Sequence, residues 1–281
     1  MIQMRQILFL LLAVIMVTLS GCRKKDTASG ELTPSMYDVE VEIKGDSMLY
    51  GLTCDGTSDS VVVIWPFGGD PITLNCIDAK QNRRIIGKPE IGDWIGVMRS
   101  QEDSTEATMV INLDQLKGTW TYPVLPVMKE LQNMSRRTQR RMMADMPDSI
   151  KNTFFVPREY GFTLKRLHQA QSVGRVMRNN TLEDDSPVVY PEVKNYRKWY
   201  MLNGRLILVS AKRLPKDQDS KDAKPIAVLD TLEFIHMSED SLILTLHGQQ
   251  YGFHRKTSSL EANAEAIKAQ EKIDNKNKNK K

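Results

Sequence analysis

Short segments of β-forming residues, separated by turn signals, run through most of this chain and constrain its fold more than any other feature. Asn203-Gly204 and Gly248-Gln249 are hairpin-type turns between two pairs of these segments. A succession of short strands joined by tight turns is typical of an all-β barrel or sandwich. The strands predicted in the second half begin at residue 118 and continue at 160–167, 172–177, 198–202, 205–212, 226–235, 241–247 and 251–255.

A second set of about five or six strand signals precedes Asn112. Residues 37–43 alternate between apolar and polar side chains, and residues 61–65 form a solid β-branched run that ends in Trp65. No convincing helix interrupts this set. The sequence therefore predicts a small β-barrel or sandwich domain over residues 37–114, followed by a second β domain over residues 115–256.

The composition agrees with a folded chain and gives no reason to invoke nucleic acid. Hydrophobic residues make up 41% and charged residues 26% of the 281 positions. The 39 basic side chains are nearly balanced by 35 acidic ones, which leaves a formal charge of +4.

One amphipathic helix is predicted at about residues 127–144, inserted between the first two strands of the second domain. Pro147 ends it. Its apolar stripe consists of Val127, Leu131, Met134, Thr138 and Met142. Its basic cluster consists of Arg136, Arg137, Arg140 and Arg141. The cluster is either a solvated helix face or a contact for anionic headgroups or a sugar acid. Residues 257–281 are predicted to be a charged, partly disordered tail.

The first 21 residues have the pattern of a secretory signal peptide. Arg5 supplies the positive start, residues 7–17 are an apolar run too short to span a bilayer, and Leu19-Ser20-Gly21-Cys22 resembles the bacterial lipobox. This resemblance implies cleavage between Gly21 and Cys22 and attachment of fatty acyl chains such as palmitate to Cys22. Residues 22–36 then read as a tether that holds the protein to a membrane.

The residue after the lipobox bears on localisation. Position 23 is Arg rather than the Asp that marks inner-membrane retention in proteobacterial lipoproteins. We therefore expect a lipid-anchored protein of the cell envelope in the outer membrane, with its periplasmic or surface face left open by the sequence.

The second domain resembles a lipocalin-like barrel in three features: Gly118-x-Trp120 opens its first strand, the strand signals total eight, and Arg255 ends the last strand. The domain resembles the lipocalin-like lipoproteins of the Bacteroidota more than it resembles secreted lipocalins. The resemblance implies an eight-stranded barrel that Trp120 and Arg255 plug at its closed end through a cation–π contact. It also implies a non-enzymatic module that binds a small apolar or amphiphilic ligand. The alternative is a structural or assembly lipoprotein whose packed barrel binds envelope protein partners.

The residues supply no catalytic constellation, and we predict neither a metal nor a cofactor. There is no Gly-x-Ser-x-Gly elbow and no His-Glu-x-x-His helix. His247 and His254 flank a tight turn, but no acidic or cysteine partner has zinc-ligand spacing, so they read as solvated strand residues.

Two candidate modifications follow from the predicted compartment. Cys54 and Cys76 are expected either to form a disulfide, which an oxidising envelope permits, or to remain buried thiols. Asp26-Thr27-Ala28 resembles the O-glycosylation sequon of Bacteroidota envelope proteins, with Thr27 in the tether as the candidate acceptor. Similar Asp-Ser triplets occur elsewhere in the chain, but Asp-Ser is also common where a turn leads into a strand, without any modification.

Overall fold

The computed structural model describes residues 41–131, 133–176, 188–212 and 226–278. All of them belong to one compact unit, Val39–Lys281, and the other unit is Met1–Asp38. The predicted signal peptide, lipobox and tether lie outside the described residues. So do the acidic residues 183–185 and the charged residues 215–225.

The first half of the unit forms one six-stranded sheet in the order β3-β2-β1-β5-β6-β4. Every pairing is antiparallel except that of β4 with β6. The elements are β1 Leu49–Thr53, β2 Val61–Pro66, β3 Ile72–Asn75, α1 Ile77–Gln81, β4 Ile85–Ile86, β5 Trp94–Arg99, β6 Ala107–Asn112 and α2 Leu113–Leu116.

The six-stranded sheet curls until the end of β3 meets the start of β6. Asn75 forms an isolated bridge with Glu106, and its amide donates to the carbonyl of Thr105 at 2.9 Å. The curled sheet encloses its own apolar cluster, in which Ile64, Leu74 and Ile95 are fully buried. The curl lets a short sheet bury one face without a second layer.

Two sequence predictions for this region are wrong in detail. The described part of the predicted strand at 37–43 has no regular structure, and the true first strand, β1, was missed. Gly51 interrupts the apolar pattern of β1 because a Cβ there would overlap the carbonyl oxygen of Trp65 on β2. The short helix α1 also lies within a region for which no helix was predicted.

The second half confirms the predicted fold class: mainly β, with a nearly closed eight-stranded barrel consistent with a lipocalin-like fold. The strand order is β10-β9-β7-β16-β15-β14-β13-β12, and every neighbouring pair is antiparallel. The strands are β7 Gly118–Val124, β9 Arg158–Leu164, β10 Ala170–Val173, β12 Tyr196–Leu202, β13 Arg205–Lys212, β14 Ile226–Met237, β15 Ser241–Leu246 and β16 Gln249–Lys256.

The seam between β10 and β12 closes the barrel without a regular ladder. The Ser172 hydroxyl donates to the Lys194 carbonyl at 2.5 Å and accepts from the Tyr196 amide at 2.6 Å. The Trp199 amide donates to the His168 carbonyl at 2.8 Å, and Gln169 bridges to Lys198. These links satisfy part of the edge that an open sheet would expose.

The predicted helix at 127–144 is wrong over its first half. Its start is instead strand β8 Val127–Met128, which pairs with β11 Val188–Val189, and a 3₁₀ turn Lys129–Leu131 follows. Helix α3 Arg136–Ala144 begins only after Ser135, whose hydroxyl accepts from the Thr138 amide. A second helix, α4 Asp148–Phe154, starts directly after Pro147.

The C-terminal segment returns to the barrel as a 3₁₀ turn, Glu261–Asn263, and helix α5 Ala264–Lys278. The Asn263 side chain accepts from the Glu159 amide and donates to the Glu159 carbonyl, both at 2.9 Å. Helical structure therefore extends to Lys278, further into the predicted tail at 257–281 than the composition of that tail indicates. None of the helices in the described ranges is long and apolar enough to cross a membrane.

The curled sheet covers one end of the barrel, and the two share a core. Met48, Ile86 and Ile111 of the first half belong to the same apolar cluster as Trp120 and Leu242. The Asn203 side chain, in the β12–β13 turn, accepts from the amide and hydroxyl of Ser47 at 2.9 and 2.8 Å. The opposite end of the barrel is therefore the one that carries the mouth.

Candidate functional site in the barrel

The covered end of the barrel is filled by the pair that the sequence singled out. The Cζ atom of Arg255 lies 4.2 Å from the centroid of the Trp120 ring, and Trp120 is fully buried. The indole nitrogen donates to the Leu116 carbonyl at 2.8 Å. Arg255 donates to the carbonyls of Lys117 (2.9 Å), Gln115 and Glu239. The pair thus joins α2, the first strand and the last strand.

Burial also changes the acidity of this arginine. It lowers the pKa of Arg255 below its usual value, while the nearby carboxylates of Asp240 and Glu239 act in the opposite direction. Gly118 has a φ of 130°, and a Cβ on it would lie 2.6 Å from an Arg255 nitrogen. The glycine of the Gly-x-Trp pattern is therefore needed for the guanidinium to reach its carbonyls.

The uncovered half of the barrel contains a cavity of about 270 Å³. Its walls are mainly aromatic and aliphatic, with a polar rim on one side. The lining includes Tyr122, Tyr160, Phe162, Val173, Leu208, Leu232, Leu246, Tyr251 and Phe253, and the rim adds Glu192, Lys194, Tyr196 and His247. An eight-stranded barrel is just wide enough to hold one small ligand, and this cavity leaves room for one at the uncovered end.

Edge-to-face contacts hold the aromatic wall. Tyr122 lies 5.6 Å from Tyr251 and 5.2 Å from Phe253, and Phe162 lies 6.3 Å from Tyr196, all measured between ring centroids. The hydroxyls of Tyr122 and Tyr251 donate to no residue within the described part of the chain. They are therefore available to a polar atom of a bound molecule.

An ion pair and a tyrosine form the polar side of the cavity. Lys194 Nζ lies 2.7 Å from both carboxylate oxygens of Asp230, and the Tyr196 hydroxyl donates to the same carboxylate at 3.1 Å. Asp230 is 2% exposed, whereas about half of the Lys194 side chain (47%) reaches solvent. Asp230 is therefore fully engaged, and the lysine presents its outer side to the mouth.

Four tyrosines in the described ranges hold their phenolic protons more tightly than usual. Burial, followed by the neighbouring Asp230 carboxylate, raises the pKa of Tyr196 far above its ordinary value. Burial raises the pKa of Tyr122 and Tyr160 at the cavity as well, and of Tyr50 in the first sheet. At the cavity these hydroxyls act as neutral hydrogen-bonding groups rather than as bases.

The structure does not form the candidate Cys54–Cys76 disulfide, since both are free thiols. Cys54 follows β1 and Cys76 follows β3, and β2 lies between these two strands. Two strand spacings of about 4.8 Å separate the cysteines by more than the roughly 7 Å that a bridge tolerates. Burial raises the pKa of the Cys76 thiol, as is usual for an inert cysteine.

His247 and His254, which were predicted to flank a turn, are both exposed; His247 lies at the cavity rim and His254 on β16. Among the described side chains, no group of three or more His, Cys, Asp or Glu is arranged to hold a metal ion. Gly21, Cys22 and Thr27 lie outside the described residues.

Sequence reasoning missed the cavity residues, although a signal for its wall is present. Three strands carry an aromatic pair at positions i and i+2, which places both rings on one face of the strand. The pairs are Trp120 with Tyr122, Tyr160 with Phe162, and Tyr251 with Phe253. The Lys194–Asp230 pair has no such signal, because it joins an irregular segment to a strand 36 residues away.

These features define a β-barrel protein with one plugged end and a small aromatic cavity at the other. A solved structure that resembles it is that of a lipocalin-like protein from Bacteroides thetaiotaomicron VPI-5482. The two chains are 16% identical, and the match covers 50% of this chain and 94% of the other with a TM-score of 0.26. At that level the likeness carries no argument about function. No protein-family model and no curated protein matches the sequence.

Proposed function

We propose that this protein is a lipoprotein of the cell envelope, anchored in the outer membrane through acylated Cys22. In this proposal its barrel is a non-enzymatic module that binds a small apolar or amphiphilic ligand. The lipobox-like sequence at Leu19-Ser20-Gly21-Cys22 supports the anchor.

The cavity is the observation that carries the binding function. Its volume of about 270 Å³ falls just below the range of roughly 300–1,000 Å³ typical of small-molecule sites. The aromatic wall provides apolar contact area. Lys194 and the hydroxyls of Tyr122 and Tyr251, which donate to none of the described residues, give a bound molecule polar partners beside the apolar wall, which is the pattern an amphiphile requires.

Binding rather than catalysis is favoured by how the polar side is arranged. The carboxylate of Asp230 is 2% exposed and already accepts from Lys194 and Tyr196, so it is not presented to a bound molecule as a base. The cluster stabilises the wall of a cavity and presents one cation at its edge.

A cavity-filling variant tests ligand binding. Val173, 3% exposed, lines the cavity, and Val173→Phe is expected to fill part of it. The matched control is Val228→Phe, at a strand position that is 37% exposed and not part of the lining. Titration with the apolar fluorophore N-phenyl-1-naphthylamine should show binding by the wild type and the control, and at least tenfold weaker binding by Val173→Phe. Equal binding by all three would contradict the proposal.

Mass spectrometry of the mature N-terminus tests the anchor independently. We expect an acylated terminus that begins at Cys22 and a Cys22→Ser variant that is released from membranes. An unmodified terminus at any other residue would contradict the anchor and leave the cavity result unaffected.

A surface patch on the curled sheet favours a second candidate function, the binding of a protein partner in the envelope. Leu52 lies across from Trp65 on one neighbouring strand and from Trp94 on the other. Phe67 contacts Trp94 edge to face at 5.3 Å. All four side chains are exposed, and contiguous exposed apolar residues of this kind mark interaction surfaces.

In vivo crosslinking separates this candidate from the first. With a photoreactive amino acid at Phe67, the partner hypothesis predicts one discrete crosslinked species that disappears in a Trp65→Ser/Trp94→Ser background. The same probe at exposed Leu260 is the control. The absence of a discrete species at Phe67 would eliminate the second candidate.

A further inference from the structure

The segment between β7 and β9, residues 125–157, lies at the mouth of the cavity; we call it the mouth insert. Its last residues adjoin segment 188–195, which contributes three residues to the cavity lining. The Tyr190 hydroxyl donates to the Val156 carbonyl at 2.6 Å, and Arg158 lies 3.6 Å from the centre of the Tyr190 ring. Whatever binds the mouth insert is therefore held close to the cavity entrance.

Helix α3 of the mouth insert carries four arginines and no acidic residue. Its nine residues contain no buried side chain. The side chains of the four arginines make no hydrogen bond or ion pair with any residue in the described ranges. At 3.6 residues per turn they fall within an arc of about 140° on one side of the helix. They are Arg136, Arg137, Arg140 and Arg141.

This arrangement is electrostatically unfavourable for an isolated helix. Arg136 with Arg140, and Arg137 with Arg141, are like charges at i,i+4 spacing. Two of the four stand in the first turn, where the positive end of the helix dipole disfavours cations. A negatively charged surface next to the helix would remove both penalties, which is a reason for the cluster that solvent alone does not supply.

The mouth insert also exposes apolar residues, and these favour a lipid surface over a soluble polyanion. Interfacial helices combine arginine or lysine with apolar side chains that enter the headgroup region. In the mouth insert the exposed apolar residues are Leu125, Val127, Met134 and Met142.

We propose that the mouth insert is a membrane-docking surface, in which Arg136, Arg137, Arg140 and Arg141 contact anionic lipid headgroups and hold the cavity entrance toward the bilayer. The surface acts in addition to the proposed acyl anchor. It does not depend on that anchor or on the identity of the cavity ligand.

Vesicle co-sedimentation of the unacylated chain tests the proposal. A protein that begins at residue 23 has no acylation site and retains the whole compact unit Val39–Lys281. It is mixed with phosphatidylcholine vesicles, with or without roughly 30 mol% phosphatidylglycerol. We expect at least tenfold stronger partition into the anionic vesicles, with most of the difference lost between about 0.05 and 0.5 M NaCl.

Two variants of equal charge change locate the surface. R136Q/R137Q/R140Q/R141Q should lower partition into anionic vesicles at least tenfold. The control K44Q/R83Q/R84Q/R99Q, at exposed positions of the first half of the unit, should change it less than twofold. Equal losses in both variants would show a net-charge effect and overturn the proposal, as would equal partition of the wild type into neutral and anionic vesicles.

A third variant distinguishes a membrane from other polyanions. Met134→Ser/Met142→Ser should weaken vesicle binding several-fold at high salt and leave binding to immobilised heparin unchanged. If vesicle binding is unchanged in this variant and heparin binds as tightly as the vesicles, the surface is a general polyanion site and the proposal is wrong.

Discussion

Arg255 shows how one residue joins several parts of the fold. Its guanidinium covers the buried Trp120 ring and donates to three backbone carbonyls at the covered end of the barrel. An ammonium group lacks the planar fork that serves three acceptors in fixed directions. The geometry of the guanidinium therefore matters here as much as its charge.

Arg255→Lys should lower the free energy of unfolding by about 2–4 kcal/mol, because at least one partly buried carbonyl loses a charge-assisted hydrogen bond and the Trp120 ring loses its planar cover. Urea unfolding followed by circular dichroism measures it. The matched control is Arg205→Lys, whose ion pair with Glu233 is about half exposed and should matter by less than about 1 kcal/mol. Similar losses for both variants would contradict the structural role of Arg255.

The raised pKa of Tyr196 should make the free energy of unfolding fall at alkaline pH. Below pH 10 both the folded and the unfolded chain keep the phenolic proton. Above it the unfolded chain loses the proton, whereas burial and Asp230 hold the pKa of Tyr196 higher in the folded state. Folding stability must therefore fall as pH rises past 10, by up to about 1.4 kcal/mol per pH unit for one such group.

Tyr196→Phe should be somewhat less stable than the wild type at neutral pH, because it loses the hydrogen bond to Asp230. It should also show a shallower decline between about pH 10 and 11. Urea midpoints measured across that interval test the sign. Parallel declines in the two proteins would exclude Tyr196 as a source of the pH dependence.

Residues that belong to a local pattern were predictable, and residues that meet across the fold were not. Trp120 and Arg255 were identified because each ends or opens a strand within a motif, and they lie side by side on paired strands. Lys194 and Asp230 look like ordinary surface charges in the sequence. Only the closure of the barrel seam buries the aspartate and brings the lysine to it.

At the scale of elements, a glycine controls how closely β7 and β9 approach. A Cβ on Gly161 would overlap the Trp120 carbonyl oxygen and lie 2.9 Å from the Thr121 Cα. Gly252, on β16 of the same barrel, would have no atom within 4 Å of its Cβ. Both glycines lie in barrel strands, but only Gly161 has no space for a Cβ atom.

Gly161→Ala should therefore destabilise the barrel by about 1–3 kcal/mol or more through strain in the β7–β9 pairing. Gly252→Ala should be nearly neutral. Thermal unfolding gives the stabilities, and hydrogen exchange at β7 and β9 amides locates the change. Equal stability of the two variants would refute this account of the close approach.

Strands were predicted well and the mouth insert was not, for a physical reason. Strands β9, β12 and β15 alternate one buried face, as Leu242 and Leu244 do on β15. The apolar stripe from Val127 to Met142 fits helical spacing equally well, but Val127 and Met128 pair with β11, which is distant in sequence. Tertiary pairing overrides local periodicity at that point.

At the scale of the whole molecule, the curled sheet and the barrel share side chains in one apolar cluster. Ile111 belongs to β6 of the first half and is fully buried in the cluster that contains Trp120 and Phe162. A Cβ on Gly204, in the β12–β13 turn, would lie within 3 Å of the sulfur atoms of both Met98 and Met109. Unfolding either half would expose the core of the other.

We therefore expect the two halves to unfold as one cooperative unit, and Ile111→Ala to lower the stability of both. The expected cost is about 2–5 kcal/mol, because the buried side chain leaves a cavity in the shared cluster. The matched control, Ile91→Ala, removes an isoleucine that is 70% exposed and should change stability by less than about 0.5 kcal/mol. Hydrogen exchange under increasing urea should show β5 and β15 amides losing protection together, at a lower urea concentration in Ile111→Ala. If β15 keeps the wild-type midpoint while β5 opens early, the two halves are independent and the shared cluster does not couple them.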